Sequence, residues 1–187
     1  MKRGELGASL NLEIELIPDG RPNRPGVPIT IKKITVHNTS NTGRGADAAS
    51  HSNWVRNTGY YEINGRRNYV SWHYTVDDQR VIKQLPISEM GWHAGRRGNS
   101  LSIGIEICMH QGIDQEAAFD RASRLIAALL YDLNLGIEDV VTHKYWTGKN
   151  CPVLLLQGQK WEEFKDKIRS YLEGMIQDAE DHADEDV

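Results

Sequence analysis

His143 and Cys151 stand eight positions apart in the run HKYWTGKNCP (143–152). An imidazole and a thiolate so close in the chain suit two ligands of one zinc ion. A third is offered by His37 in the run ITVHNT (34–39), where a strand-like alternation ends and a side chain can project from a sheet edge into a cleft. Structural zinc sites normally close with four protein ligands, whereas catalytic sites keep one position for water. Three ligands therefore point to a hydrolase. The plainer alternative is that a lone Cys is a small buried hydrophobe and a lone His a hydrogen-bonded core or surface residue. His-x7-Cys is not a diagnostic metal spacing by itself. Lys149 adds a cation beside the potential thiolate, and Pro152 stiffens the chain directly after it.

Hydrolysing an amide at neutral pH needs an electrophile, a base that takes a proton from water, and a proton for the leaving amine. Zinc supplies the first and lowers the pKa of bound water to about 7. In SIGIEIC (102–108) a strand would place Ile103, Ile105 and Ile107 on one face and Glu106 on the other, beside the proposed site. Glu106 is the candidate base and proton donor, and Lys149 a candidate for holding the oxyanion. A solvent-facing strand carboxylate and a solvated loop lysine are the competing readings. Trp72, His73 and His93 are candidates for the groove. His73 also reads as a supporting residue, and His93 as lining a cleft from a Gly-flanked loop beside Trp92. Arg96 and Arg97 could meet carboxylates, and nothing favours His51, His110 or His182.

These residues need a scaffold, and the periodicities outline one. Strands are expected over Lys33 to Asn38, Tyr69 to Val76, Arg80 to Leu85, Ser102 to Cys108 and Asp139 to Thr142, the last delivering His143. The second and third should form a hairpin around Asp77-Asp-Gln. Helices are expected over Gly45 to Asn57, with Ala48, Ser52 and Val55 inward, and over Gln115 to Asn134, with Asp114 as N-cap and Gly136 as stop. A third, Lys160 to Met175, carries Trp161, Phe164, Ile168, Tyr171, Leu172 and Met175 on its inner face. Strands interspersed with helices imply an α/β class, a single domain with a central mixed sheet flanked by helices. Residues 1–29, with three prolines between 21 and 28, read as an extended N-terminal arm packed on the catalytic domain. Residues 30–176 read as the catalytic domain, and 177–187 as an acidic, disordered tail or linker start.

At 187 residues the chain suits one domain with a sizeable core. No run approaches the ~20 apolar residues of a membrane span, so membrane insertion is not expected. The N-terminus lacks the apolar stretch of a signal peptide, which implies synthesis in the cytoplasm. Two cysteines cannot build a disulfide framework, and Cys108 reads as a core thiol. The net charge of −4 is concentrated at the end, because residues 178–187 hold six of the 26 acids. The other 20 face 22 basic residues, with no dense basic stripe, so no nucleic-acid partner is expected.

Five runs taken together, VHNT (36–39), WHY (72–74), GWHAG (91–95), IGIE (103–106) and HKYWTGKNCP (143–152), resemble the amidase-2 family of zinc-dependent N-acetylmuramoyl-L-alanine amidases. The likeness is to endolysins and autolysins of bacilli, clostridia and their phages, and extends in order from about Ile17 to Leu172. It implies zinc on His37, His143 and Cys151, with Glu106 catalytic and Lys149 near the thiolate. The implied substrate is the amide between N-acetylmuramic acid and the L-alanine of the peptidoglycan stem. The implied fold is a mixed sheet flanked by helices, as in peptidoglycan-recognition proteins. Many relatives carry Tyr at Trp72, and an indole cannot relay a proton as a phenol can. The resemblance further implies action on the cell wall, by host lysis or from outside, and a possible wall-binding module beyond this chain. The alternatives it leaves are a peptidoglycan-binding module without catalysis, an amidase-like regulator of RNA polymerase, and a muropeptide-recycling amidase.

Overall fold

The computed structural model describes residues 2–185. In chain order the elements are α1 (Arg3–Ala8), β1 (Leu12–Ile14), β2 (Lys33–Asn38), α2 (Ala48–Asn57), β3 (Tyr60–Ile63), β4 (Arg66–Tyr69), β5 (Tyr74–Val76) and β6 (Val81–Lys83). There follow α3 (Gly95–Leu101), β7 (Ser102–Ile107), α4 (Gln115–Leu133), a 3₁₀ turn (Ile137–Asp139), β8 (Val140–Thr142), α5 (His143–Thr147) and α6 (Lys160–Glu185). Six strands form one sheet in the order β1-β6-β5-β7-β2-β8, and β3 and β4 form a separate hairpin. Only β5 and β6 run antiparallel within the large sheet; its other pairs are parallel. The expected mixed sheet flanked by helices is the fold observed.

The two faces of the central strands do different work. Ile34, Val36, Ile103, Ile105 and Ile107 are fully buried on one face, against Ala122, Ile126 and Leu130 of α4 and Phe164 and Ile168 of α6. Each such aliphatic side chain contributes about 1.5–3 kcal/mol by leaving water. Parallel register then sets His37 beside Glu106 and Thr35 beside Gly104 on the opposite face. Packing of the isoleucines thus fixes where the polar face points, since a one-residue slip would turn every side chain over.

The expected strand over Tyr69 to Val76 is two elements. Tyr69 closes β4, residues 70–73 cross between the sheets, and only Tyr74–Val76 joins the large one. Its turn to β6 is built as expected: Asp77 Oδ1 accepts from the backbone N–H groups of Gln79 and Arg80, each at 2.8 Å. The second expected helix begins as predicted, with Asp114 accepting from Ala117 N–H. Its end differs, because Asn134 rather than Gly136 takes the left-handed cap at φ 53° and bonds Leu130 and Tyr131 carbonyls. Asn is the side-chain-bearing residue that reaches this region at low cost.

Both chain ends carry more regular structure than the sequence patterns suggest. Residues 2–29 pack on the rest of the domain and include regular structure, and Met1 lies outside the described residues. Leu6 of α1 and Leu10 just after it are buried, with Arg121 donating to the Ser9 and Leu10 carbonyls, and β1 forms one edge of the sheet. At the other end α6 continues to Glu185, so residues 177–185 are helical rather than disordered. Met175, 1% exposed, docks the helix, and extension from a docked turn avoids the cost of nucleation. Asp186 and Val187 lie outside the described residues.

Candidate metal centre

Three elements deliver the candidate ligands to one point. His37 lies near the end of β2, His143 opens α5 after Thr142 caps it, and Cys151 lies in the following loop. Asn38 ties that loop to the sheet. Its Oδ1 accepts from Leu154 N–H at 3.0 Å, and its carbonyl lies 4.0 Å from Cys151 Sγ. All three ligand side chains are buried, and their donor atoms lie within 4.8 Å of one another. His37 Nδ1 is 3.1 Å from His143 Nδ1 and 3.8 Å from Cys151 Sγ. Around a tetrahedral zinc with bonds of about 2.0 Å to nitrogen and 2.3 Å to sulfur, such atoms stand roughly 3.3–3.6 Å apart. The donor set therefore fits zinc in type and spacing.

The hydrogen bonds around His37 set its tautomer. His37 Nε2 is 3.0 Å from His93 Nδ1, and His93 Nε2 is 3.4 Å from the Ser102 carbonyl. A carbonyl only accepts, so His93 carries its proton on Nε2, and its Nδ1 accepts from His37 Nε2–H. That leaves His37 Nδ1 with its lone pair toward the centre. Burial holds His37 well below its ordinary pKa and lowers His93 to about 3, with neighbouring imidazoles adding to both. His143 falls to about 4, through burial and the Lys149 charge. Neutral imidazoles are the form that binds metal.

Glu106 approaches from β7, its Oε1 3.9 Å from His37 Nδ1, while its buried Oε2 has no hydrogen-bond partner. Burial pushes its pKa up to about 8, and Lys149 pulls against that rise. Burial likewise raises Cys151 to about 11, helped by the Glu106 charge and opposed by Lys149. A cation held by His37, His143 and Cys151 would draw both groups down toward their ionised forms. Lys149 is exposed at the cleft mouth, close enough for its charge to act on His37, His143, Cys151 and Glu106.

These groups line a cleft of about 220 Å³ whose walls include Tyr61, Val70, Trp72 and Trp92. Trp72 forms wall, and its indole N–H points away into Thr75 Oγ1 at 2.7 Å. His73 does not line the cleft, contrary to its place among the groove candidates. Fully buried, it accepts from Gly104 N–H and lies 2.8 Å from the Glu89 carbonyl, stitching β7 to the loop before His93. Arg96 and Arg97 lie exposed on α3. His51 lies 3.9 Å from the buried Cys108 thiol, away from the centre. Tyr61, Trp92 and Asn38 escaped the sequence reading. The dipeptide Asn64-Gly65 between two alternating runs was the available signal for the hairpin that carries Tyr61.

Residues 27–153 match the family described as N-acetylmuramoyl-L-alanine amidase. That span holds every residue of the centre. The chain belongs to the N-acetylmuramoyl-L-alanine amidase family. Among characterised members it is 44% identical to the amidase XlyA of Bacillus subtilis (strain 168) over 159 residues, 83% of this chain and 50% of XlyA. It is 42% identical to CwlH of the same organism, over 86% of this chain and 62% of CwlH. The chain thus spans about half to two-thirds of these amidases. The solved catalytic domain of XlyA superposes with a TM-score of 0.77, covering 85% of this chain and 99% of that domain. PlyL, 30% identical, gives 0.71 over 85% of this chain and 96% of its own. The Drosophila peptidoglycan recognition protein SD, 17% identical, shares the fold at 0.55 over 80% of this chain and 96% of its own.

Proposed function

We propose that this amidase-family chain hydrolyses the amide between N-acetylmuramic acid and the L-alanine of the peptidoglycan stem, with zinc on His37, His143 and Cys151. The observation that carries the reading is the meeting of those three donors beside a buried carboxylate oxygen, Glu106 Oε2, that lacks a partner. Zinc, when bound, supplies a Lewis acid for the carbonyl and makes water acidic near neutrality. The His93 imidazole keeps His37 in the ligating tautomer and orientation. Glu106 takes the proton released as water adds to the carbonyl carbon. It returns that proton to the nitrogen as the C–N bond breaks, help typically worth about 10²–10⁴-fold. The Lys149 ammonium, at the cleft mouth, stabilises negative charge developing on the carbonyl oxygen. Trp72 and Trp92 shape the walls and exclude water.

The proposed site of action is the cell wall, with the glycan strand and its stem peptide as partner. Among the described residues no helix is long and apolar enough to cross a membrane. The test pairs zinc per chain, by elemental analysis, with release of new L-alanine amino termini from Gram-positive sacculi. About one zinc, with release abolished by chelator and restored by zinc, is the expected result. Zinc without cleavage of sacculi or soluble muropeptides would leave a binding role, and absence of zinc would overturn the ligand assignment.

A further inference from the structure

The β3–β4 hairpin stands outside the large sheet, and its two faces are unequally satisfied. Directly opposed residues share a face, so Tyr60, Tyr69, Glu62 and Arg67 lie on one side. That side is closed on itself: Tyr60 and Tyr69 meet edge to face, Arg67 sits 4.5 Å over the Tyr60 ring, and Arg67 pairs with Glu62. The other side carries Tyr61 and Ile63, 57% and 58% exposed, opposite Asn68 and Arg66. Tyr61 is also part of the catalytic cleft wall, which makes this open face continuous with the site.

Tyr61 is held from behind. Its ring packs on Trp54 at 5.0 Å between centroids, and Trp54 stacks on Trp72 at 6.4 Å and 17°. The base of the hairpin is bolted by the buried Asn23, whose Nδ2 donates to the Val55 and Val70 carbonyls at 2.8 and 3.2 Å. The phenol reaches inward far enough that burial and the Glu106 charge both raise its pKa. The result is a three-ring aromatic ledge with its outermost ring open beside the reacting groups. A backed aromatic ring has little side-chain freedom left to lose when a ligand packs on it. The apolar C–H face of a pyranose ring is the part of a muramoyl substrate that such a surface suits.

We propose that Tyr61 is a substrate-positioning residue whose ring packs against the sugar carrying the scissile amide. The proposal rests on the amidase reading of the cleft. It assigns recognition of the glycan side of the substrate to the hairpin, and leaves the reaction itself to the groups on the cleft floor.

The experiment compares wild type, Tyr61→Phe and Tyr61→Leu on an N-acetylmuramoyl-L-alanyl peptide and on the same peptide bearing a lactoyl group without the sugar ring. Tyr61 is largely exposed, and thermal melts serve to confirm folding of the variants. For Tyr61→Leu on the muramoyl substrate, KM should rise about tenfold with kcat within about twofold, while Tyr61→Phe stays near wild type. The lactoyl peptide should show no such difference between variants. Equal KM for Tyr61→Leu and wild type on the muramoyl substrate would overturn the proposal. So would a loss in Tyr61→Phe as large as in Tyr61→Leu, which would make the hydroxyl the active part. An equal loss on the lactoyl peptide would overturn it too, by moving the contact to the peptide side. If wild type cleaves neither substrate, the amidase reading fails by itself. The ledge is then tested by titrating the N-acetylglucosaminyl-N-acetylmuramic acid disaccharide against tryptophan fluorescence. Saturable quenching weakened about tenfold in Tyr61→Leu is expected, and identical curves would refute the sugar contact.

Discussion

His93→Ala should weaken zinc binding without touching a ligand. The side chain it removes accepts the His37 Nε2 proton at 3.0 Å and thereby fixes both tautomer and ring angle. Loss of such a supporting partner typically costs about 10–100-fold in metal affinity, or roughly 1.4–2.7 kcal/mol. A purely positional version of the same perturbation is available at Gly104. A Cβ there would stand 2.7 Å from His93 Nδ1 and 2.8 Å from Cγ, so Gly104→Ala must displace the imidazole while removing no polar group. Competition with a chromophoric chelator gives the zinc affinity of each variant, and circular dichroism checks the fold. Both should bind zinc more weakly than wild type, with His93→Ala inside the tenfold-to-hundredfold window. Unchanged affinity in a folded His93→Ala would refute the argument that His93 orients His37. An unaffected Gly104→Ala would show that the ring can yield without disturbing its partner.

Three further changes test other parts of the structure. Glu106→Gln keeps the volume of the side chain but cannot accept a proton, so zinc content should hold while turnover falls about 10²–10⁴-fold; near-normal turnover would move the base elsewhere. Asn23→Ala strips a buried carbonyl, that of Val55, and a part-buried one, that of Val70, of their partner at the hairpin base. It should cost about 1–3 kcal/mol, seen as a lower denaturant midpoint. Glu89 accepts two hydrogen bonds from the Arg24 guanidinium, which lowers its pKa from the ordinary 4.5. A lowered folded pKa means stabilisation that is complete above about pH 4.5 and fades as pH falls through the folded value. The stability gap between wild type and Glu89→Gln, about 1–3 kcal/mol for a charge-assisted pair, should therefore be constant above pH 5 and close in acid. A gap that persisted at pH 2 would contradict the sign.

Legibility of the fold followed the length and regularity of each pattern. The isoleucine alternation of β7 and the apolar stripe of α4 were plain, because nineteen residues of helix or six of strand repeat their period enough to be recognised. Six residues of α1 and three of β1 do not, and both depend on a partner: Leu6 and Leu10 have a buried face only once α4 is beside them. The 177–185 segment looked too polar to order, yet it extends a helix already anchored at Met175. The sequence likewise singled out His37, Glu106, His143, Lys149 and Cys151 one residue at a time as candidates for chemistry, and the structure places them around one cleft.

By itself the sequence determined which groups could do chemistry, and through its alternations which of them share a strand face. Tertiary structure decided distances and roles. His37 and His143 are 106 residues apart in sequence, and only the β2–β8 pairing and the start of α5 bring their Nδ1 atoms to 3.1 Å. His73 and His93 both stood among the groove candidates, the first also read as a supporting residue and the second as lining a cleft. Burial turned the first into a backbone stitch beneath the cleft and the second into the acceptor that orients His37. Tyr61 had no spacing to announce it, because its place in the cleft depends on a hairpin leaning on Trp54 and Trp72. Local periodicity records which way a side chain faces, whereas what it meets depends on contacts far apart in the chain.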